Sequence, residues 1–355
     1  MTAIVRDLSG VLPKLRTSDD DADRVAYARD LWPRHHLAVR AGRAAEHRPG
    51  AIAWPSTTEE VARLVRWARQ SGTPIVPFGA GSGVCAGVLP HEGVLVVDLK
   101  RLARIRAIEP SAPCVEVEAG HMGLPFEEAL ARAGFTLGHF PSSILCSTVG
   151  GWVATRSAGQ SSGAYGKIED MVAALECVTG QGEVVELRRR TSAPDLVPLV
   201  VGSEGTLAIV TAATLRLHPA PAARAFGAWS LPTTRHGWEA LRALFQNGLR
   251  PAVARVYDPL DAVFARHAGA GHSAAHDGEA VPGRGGAALR ALLRRPSMVH
   301  RLLGSDLVGR ALGGSMLLVV FESAEVDAAK SGVQAARRIV QSAGGAWLGE
   351  GPARR

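Results

Sequence analysis

From about residue 48 onward, hydrophobic residues form short runs in some stretches and recur three or four positions apart in others. The short runs predict strands and the wider spacing predicts helices, so strands and helices alternate. Apolar residues three or four positions apart over 61–68 predict a helix with one buried face. A capping-box signature within 56–60 marks its start, formed by Ser56 with Glu59 or by Thr57 with Glu60, and Gly72 marks its end. Short apolar runs on either side predict strands, so the order is strand, helix, strand and then a glycine-rich loop.

The same reasoning places elements along the rest of the chain and predicts an α+β protein. Predicted strands are Val94–Leu99, Val115–Ala119, Met171–Val178, Glu183–Leu187, Ala213–Leu217, Arg250–Asp258 and Met316–Phe321. Predicted helices are Tyr27–Leu37, Leu124–Ala133, Asp195–Val201, Trp238–Phe245 and Val326–Ala343. Residues 268–288 are rich in glycine, alanine and histidine and predict a flexible insertion. The domain boundaries expected from these patterns are an arm at 1–45, a first domain at 46–221 and a second at 222–355.

The first glycine-rich loop carries Gly79, Gly81 and Gly83 in alternation, directly after a predicted strand. Alternating glycines permit the positive φ angles that turn several N–H groups toward one anion. A Rossmann dinucleotide fingerprint should open a helix directly, whereas here the next element is the strand Val94–Leu99. We therefore expect an anion-binding loop of another type.

The stretch Pro141–Asp170 packs glycine, serine and threonine around Arg156, with few large apolar side chains. Ser147 and Thr148 are positioned to cap a short helix through Ala154, and a helix start lined with donors attracts anions. Gly150 and Gly151 would let that backbone approach a ligand closely. The alternative is a glycine-rich surface loop without a ligand, and the stretch alone does not decide between the two.

The charge does not indicate a nucleic-acid partner. The formal net charge is +7, carried almost wholly by arginines spread along the chain. No zinc-ligand spacing or RNA-binding aromatic signature accompanies them. We interpret most of this charge as solvated surface that can attract anionic substrates.

Cysteine usage and hydropathy indicate an ordinary cytoplasmic protein. Cys85, Cys114, Cys146 and Cys177 are widely spaced without a CxxC pair, which argues against a disulfide scaffold and a structural zinc site. The N-terminus lacks the apolar core of a signal peptide. No uncharged apolar run reaches the roughly 20 residues that span a bilayer. We expect no metal and no transmembrane segment.

Three loops in order, Pro77–Gly83, Ser142–Ala158 and Gly202–Leu207, resemble the FAD-binding domain of the vanillyl-alcohol-oxidase or p-cresol-methylhydroxylase type, from about Arg48 to Pro219. The sequence from Gly202 to Pro219 is similar to the domain ending of D-lactate and glycolate dehydrogenases. Thr148–Gly159, followed by Tyr165–Asp170, looks most like alkylglycerone-phosphate synthases. Arg250–Asp258 fits that branch too.

The resemblance implies FAD as the cofactor, bound non-covalently because the first loop has no histidine where some relatives tether it. The first loop would hold the diphosphate, and the other two would contact the diphosphate, flavin and adenine. The implied cofactor-binding residues are Pro77, Phe78, Gly79, Ala80, Gly81, Ser82, Gly83, Ser142, Ser143, Cys146, Ser147, Thr148, Gly151, Thr155, Arg156, Ser157, Ala158, Gly202, Ser203, Glu204, Gly205, Thr206, Leu207 and Ile209. Cys146 lies near the position where berberine-bridge-type oxidases place a flavin-linked cysteine; the alternative is a small buried thiol.

Arg255 matches an arginine near the active site of the family, where it would face an anionic substrate. The alternative is a structural ion pair, with Asp258 or another neighbour. No catalytic residue is assigned, because the chain ends at Arg355 where relatives continue into the segment that carries them. His139, His218 and His236 are not convincing substitutes, since isolated histidines are more often structural or surface residues.

The family's chemistry uses the flavin as hydride acceptor from a hydroxyacid. In the synthase branch, flavin N5 instead bonds to an acyl-dihydroxyacetone phosphate while a long-chain alcohol displaces the acyl group. The expected function is therefore an FAD-dependent oxidoreductase-type enzyme resembling alkylglycerone-phosphate synthase. The alternatives are a D-2-hydroxyacid dehydrogenase and a truncated, non-catalytic FAD-binding fragment that needs a partner chain. Expected partners are a small-molecule substrate, an electron acceptor or a lipid-like substrate, with a homodimer left open.

Overall fold

The computed structural model describes residues 2–43, 47–267 and 313–354, which fall into two compact units, Met1–Ala220 and Pro221–Arg355. Helices are α1 Ala3–Val11, α2 Asp21–Ala26, α3 Pro33–Arg40, α4 Thr58–Ser71, α5 Gly123–Arg132, α6 Val149–Ala154, α7 Ser162–Tyr165, α8 Ile168–Met171, α9 Val197–Val200, α10 Thr234–Gln246, α11 Pro259–His267, α12 Val326–Ser342 and α13 Gly351–Arg354. Strands are β1 Arg16–Ser18, β2 Ala51–Trp54, β3 Ile75–Phe78, β4 Leu95–Asp98, β5 Ile105–Glu109, β6 Cys114–Glu118, β7 Phe135–Thr136, β8 Val172–Thr179, β9 Val184–Arg188, β10 Ala208–Arg216, β11 His218–Pro219, β12 Ala223–Leu231, β13 Val253–Tyr257, β14 Ser315–Ser323 and β15 Ala346–Gly349. This mixture confirms the α+β class.

The first unit opens with a four-stranded sheet of order β1-β2-β4-β3. Strands β2 and β3 both run parallel to β4, and α4 connects β2 to β3. Thr57 caps α4 by accepting the Glu60 N–H, and Gly72 ends it at φ 68°, so the second of the two capping possibilities is the one used. Strand β1 pairs antiparallel with β2.

The N-terminal residues belong to the body of this unit. Val5 and Leu8 of α1 are buried in the same core as Leu64 of α4. The predicted helix Tyr27–Leu37 is wrong, since α2 ends at Ala26 and α3 begins at Pro33. Proline disfavours helical backbone in the residue before it, which places the helix start at Pro33 itself.

A five-stranded antiparallel sheet of order β5-β6-β10-β8-β9 forms the rest of the first unit. Its core is closed by α5, α6 and α8, with Phe126 and Trp152 fully buried. The hairpin predicted at 179–182 joins β8 to β9. Met171, predicted as a strand residue, ends α8, and β10 begins at Ala208, earlier than predicted.

The second unit contains a four-stranded antiparallel sheet of order β13-β14-β12-β15. Helices α10 and α12 cover one face, where Trp229, Leu317 and Val340 are buried together. The predicted helices and strands of this unit are present, whereas β12 and β15 have no counterpart among the predictions. The insertion predicted at 268–288 lies outside the described residues. No helix within the described ranges is both long and apolar enough to cross a membrane.

Candidate functional site

The glycine loop at 79–83 follows β3 at the edge of the first sheet. Within the described chain, the backbone N–H groups of residues 79–83 donate no hydrogen bond to any protein acceptor. Gly81 has φ 65°, in the left-handed region that the alternating glycines predict. Backbone donors that lack a partner in the protein are available to an external acceptor, so this loop has the chemistry of an anion cradle.

The glycine loop meets the second stretch where Gly79 faces Thr148. A Cβ added to Gly79 would lie 2.5 Å from Thr148 Oγ1, so the backbone is accessible here only because residue 79 has no side chain. Thr148 is the N-cap of α6, and its Oγ1 accepts the Gly151 N–H at 3.2 Å. Its hydroxyl proton remains free to be donated.

Two residues near this helix start differ from the sequence-based expectation. Gly150 does not serve a ligand: its N–H donates to Ala119 O at 2.7 Å, and a Cβ there would lie 2.6 Å from Ala119 Cβ. Its role is to let α6 pack closely on the end of β6. Ser147 is not the cap either, since it is buried, accepts the indole N–H of Trp152 at 2.7 Å and donates to Ser143 O.

The third stretch, Gly202–Leu207, joins the other two. Gly202 donates its N–H to Val153 O and Glu204 to Ala154 O, both at 3.0 Å, which ties the stretch to the end of α6. A Cβ on Gly205 would lie 2.8 Å from Pro77 Cγ, which places it against the start of the first loop. Residues distant in sequence therefore converge as predicted. Ile209 is buried in β10, where it pairs with Val178 of β8, so its side chain faces the core.

The side chain of Arg156 links the second stretch to the residues that directly precede the third. Its Nη2 donates to Val201 O at 2.7 Å and Pro198 O at 3.0 Å, and its Nε lies 3.1 Å from Glu169 Oε2. Its backbone has φ 51°, uncommon for a residue with a side chain. The guanidinium that was predicted to bind cofactor is thus engaged by the protein itself.

The remaining predicted residues lie on or near the surface of these loops. Ser142, Cys146, Thr155, Ala158, Thr206 and Leu207 are exposed, and Ser82, Ser143, Ser157 and Ser203 are partly buried. Cys146 is exposed, which excludes the buried-thiol alternative. The large apolar side chains of Val84, Leu145 and Leu207 are also exposed, at 57%, 72% and 58%.

His139, set aside by sequence reasoning, is fully buried and contacts a predicted site residue. Its Nε2 lies 2.8 Å from Ser157 Oγ, its ring packs edge-on against Trp152, and its Nδ1 has no partner among the described residues. Burial lowers the pKa of His139 to about 4, so the ring is neutral at pH 7. A single histidine outside any hydrophobic period gives no signal in sequence that would identify it.

Glu127 of α5 holds the chain that leads to His139. It is buried, and it accepts the N–H groups of Leu137 and Gly138 at 3.1 Å and the hydroxyl of Thr136. Burial raises the pKa of Glu127 to about 7, although these donors act in the opposite direction. The carboxyl group therefore changes protonation near neutral pH.

Arg255 lies on β13 of the second unit, whereas the three loops lie in the first. Its side chain is exposed, and no ion pair or hydrogen bond joins it to any residue that the structure describes. Asp258, the partner considered from sequence, instead accepts the N–H groups of Leu260 and Asp261. No group of three or more potential metal ligands is present in the described part of the chain.

Comparison with known proteins identifies the family of the chain. Residues 49–188 match a family described as FAD binding domain. The chain is 33% identical over 261 residues to an alkyldihydroxyacetonephosphate synthase of Dictyostelium discoideum, covering 72% of this chain and 42% of that protein. It is 33% identical over 207 residues to a glycolate oxidase subunit of Bacillus subtilis, covering 57% and 42%.

A solved structure of alkyldihydroxyacetonephosphate synthase superimposes with a TM-score of 0.76 at 26% identity, covering 97% of this chain and 64% of that chain. By sequence, the match spans 42% of the length of each of these two curated relatives, which is less than half. The predictions of family and of FAD as cofactor are confirmed. Residues 49–188 form an FAD-binding domain, and the chain belongs with the FAD-binding proteins that include alkyldihydroxyacetonephosphate synthases and glycolate oxidase.

Proposed function

We propose that this chain is the FAD-binding part of an enzyme of the alkyldihydroxyacetonephosphate synthase type. It holds FAD non-covalently across its three loops and acts on a small substrate that carries a phosphate or carboxylate group. The observation that carries the proposal is the convergence of the loops, with Gly79 against Thr148 and Gly205 against Pro77. Sequence similarity to the synthases supports the choice of enzyme type.

The donors of the first loop fit the diphosphate of FAD. The free N–H groups of residues 79–83 supply a row of donors, and the Thr148 hydroxyl adds another on the facing side. A diphosphate carries several acceptor oxygens and negative charge, which such a nest of backbone dipoles favours. The missing side chain at Gly79 keeps this approach open.

The other stretches fit the less charged parts of FAD. We assign contacts to the ribityl chain, flavin and adenine to Ser142–Thr148, Thr155–Ala158 and Gly202–Leu207, with Ile209 contributing backbone groups. The exposed apolar side chains Val84, Leu145 and Leu207 lie on or beside the loops and offer surface for ring systems. Arg156 acts by holding the second stretch to Val201 and Pro198, which lead directly into the third stretch.

Bound FAD would supply a hydride-accepting, electron-storing ring system, while the protein supplies position and excludes water. Arg255 would bind the anionic end of the substrate, because it is exposed and free of any carboxylate partner among the described residues. His139 is neutral and enclosed, so its role is to hold Ser157 rather than to exchange protons with substrate. A cytoplasmic location stays a prediction from the cysteine pattern and the N-terminal sequence. An electron acceptor and a lipid-like substrate rest on the resemblance alone, and a homodimer is left open.

A D-2-hydroxyacid dehydrogenase is the second candidate, favoured by the similarity to the glycolate oxidase subunit. Bleaching of the bound flavin by D-lactate or glycolate would support it. Exchange of the acyl group of acyl-dihydroxyacetone phosphate without bleaching would support the synthase. An FAD-binding chain that acts only with a partner chain would show neither reaction by itself.

The first test is the visible absorbance of the purified chain before and after acid precipitation. Flavin bands that move to the supernatant are the expected result and mean non-covalent FAD. Bands that stay in the pellet would point to a covalent link, with the exposed Cys146 as the first residue to replace. If folded protein takes up no flavin even with added FAD, the proposal is wrong.

A further inference from the structure

The segment Tyr27–Leu31 contacts the glycine loop, although the FAD-domain match begins only at residue 49. Sequence reasoning assigned it to an N-terminal arm. In the structure it lies between α2 and α3. It holds the glycine loop at two places, Gly79 and Gly83, on either side of residues 80–82.

The first anchor is the Asp30 carboxylate, whose side chain is fully buried. Its Oδ2 accepts the Ala86 N–H at 2.7 Å, and the neighbouring Leu31 N–H donates to Gly83 O at 2.9 Å. Ala86 has φ 64°, a left-handed conformation that a residue with a side chain adopts only when its surroundings fix it. The Asp30 Oδ1 is held in turn by the Trp32 N–H and by His35.

The second anchor runs from Tyr27 through Asp98 to Lys100. The Tyr27 hydroxyl donates to the buried Asp98 carboxylate and accepts the indole N–H of Trp54 at 2.9 Å. The same carboxylate binds the Lys100 ammonium at 2.5 Å, and that ammonium donates to Gly79 O at 3.0 Å. The Tyr27 ring also packs edge-on against Phe78 at 4.9 Å. Burial and the adjacent carboxylate raise the pKa of Tyr27, so its hydroxyl stays a donor.

The middle of the loop is left open between these anchors. Ala80 and Gly81 border a cavity of 290 Å³ that is also lined by Tyr27, Asp30 and Lys100. The segment therefore fixes the carbonyl at the start of the loop and the backbone after its end, without using the N–H groups between them. Fixing a flexible backbone before a ligand arrives removes an entropy cost from binding.

We propose that Asp30 and Tyr27 are positioning residues that preorganise the glycine loop for the FAD diphosphate. Their action reaches FAD only through the loop: Asp30 by way of Ala86, and Tyr27 by way of Asp98, Lys100 and Gly79. The inference rests on the proposed function, because it takes the glycine loop as the diphosphate site. It adds two residues that lie outside the matched domain, residues 49–188, to those that support cofactor binding.

The experiment uses the full chain and the variants Asp30→Asn, Tyr27→Phe and, as a control, Asp21→Asn. Asp21 lies in the same N-terminal region but pairs with Arg48 and does not touch the loop. The FAD dissociation constant is measured by titration of apoprotein, and amide hydrogen exchange is followed without FAD. Loss of a hydrogen bond to a buried carboxylate should raise the dissociation constant about tenfold for Asp30→Asn, and less for Tyr27→Phe. Exchange should accelerate at Leu31, Trp32 and Ala86, whose N–H groups are bonded at the first anchor, and not elsewhere in the first unit. Asp21→Asn should match the wild type.

The inference is overturned if wild-type protein binds FAD and Asp30→Asn binds it equally well. It is also overturned if exchange accelerates uniformly, which would mean a general loss of stability. Should Asp30→Asn fail to fold, Tyr27→Phe decides, since its ring packing is kept: unchanged FAD affinity contradicts the inference and weaker affinity supports it. Failure of the wild type to bind FAD is a different result and overturns the proposed function.

Discussion

At Gly79 a methyl group would lie 2.5 Å from Thr148 Oγ1, a distance that forces the backbone or the threonine to move. We therefore expect Gly79→Ala to raise the FAD dissociation constant about tenfold, because overpacking of this size costs about 1–3 kcal/mol. Gly180→Ala is the matched control, since a Cβ there meets nothing within 4 Å. Titration of both apoproteins with FAD measures the difference. Equal affinities would show that the two loops do not form one site.

Arg156 provides a second test at the scale of one residue. Arg156→Met removes donors to Val201 O and Pro198 O and the ion pair with Glu169. We expect a loss of about 1–2 kcal/mol in the free energy of unfolding, together with weaker FAD binding. The reason is that residues 198–201, which lead into the third stretch, lose their side-chain link to the second stretch, while the backbone bonds of Gly202 and Glu204 to α6 remain. Arg188→Met removes an exposed surface pair with Glu186 and serves as the control. Chemical denaturation and FAD titration of the two variants supply the comparison.

At the scale of elements, α5 and the chain after it contain two buried titratable groups with opposite effects on stability. Glu127 has a folded pKa of about 7, above its ordinary value, so folded protein holds its proton more tightly and stability falls as pH rises toward 7. His139 has a folded pKa of about 4, below its ordinary value, so stability falls as pH drops from about 6.5 toward 4. Between about pH 4.5 and 6.5 the two contributions oppose each other.

Replacing either group should therefore reveal the pH dependence of the free energy of unfolding that the other group causes. Glu127→Gln should make the free energy of unfolding rise from pH 4.5 to 6.5, by up to about 1.4 kcal/mol per pH unit, and His139→Gln should make it fall. Urea unfolding of the apoprotein at several pH values measures both slopes. Parallel pH profiles for wild type and both variants would mean that neither group is buried as described.

The elements that could be predicted from sequence are those whose periodicity is set by their own buried face. Helix α4 has its apolar face, its Thr57 cap and its Gly72 stop within one short stretch, and all three are found. Strand β12 was missed because small residues such as Ala228 fill its buried positions and give no alternating signal. The helix predicted across Tyr27–Leu37 is wrong for two reasons. Pro33 starts a new helix, which is a local signal, and Asp30 and Tyr27 are held by residues distant in sequence, which no local pattern records.

At the scale of the whole molecule, the resemblance identified the three loops, and the structure shows that they lie next to one another. The sequence could not show which residues of these loops have a structural role and which are available to a ligand. Gly150 packs a helix, Arg156 ties two stretches, and Asp30 holds the first loop from outside the matched domain. These roles depend on distances between residues far apart in the chain, so they emerge only once the fold is known.

The last prediction tests whether Arg255 binds the substrate anion without contributing to FAD affinity. Because it lies in the second unit and has no partner among the described residues, Arg255→Met should leave the FAD dissociation constant within about twofold of wild type. The change in flavin absorbance on adding dihydroxyacetone phosphate should be lost, since a phosphate then lacks its cation. Arg224→Met is the control: it removes an exposed arginine of the same sheet that pairs with Glu322. If the control loses the response equally, or if Arg255→Met retains it, Arg255 does not bind the substrate anion. Loss of FAD itself in Arg255→Met would instead assign this arginine to the cofactor.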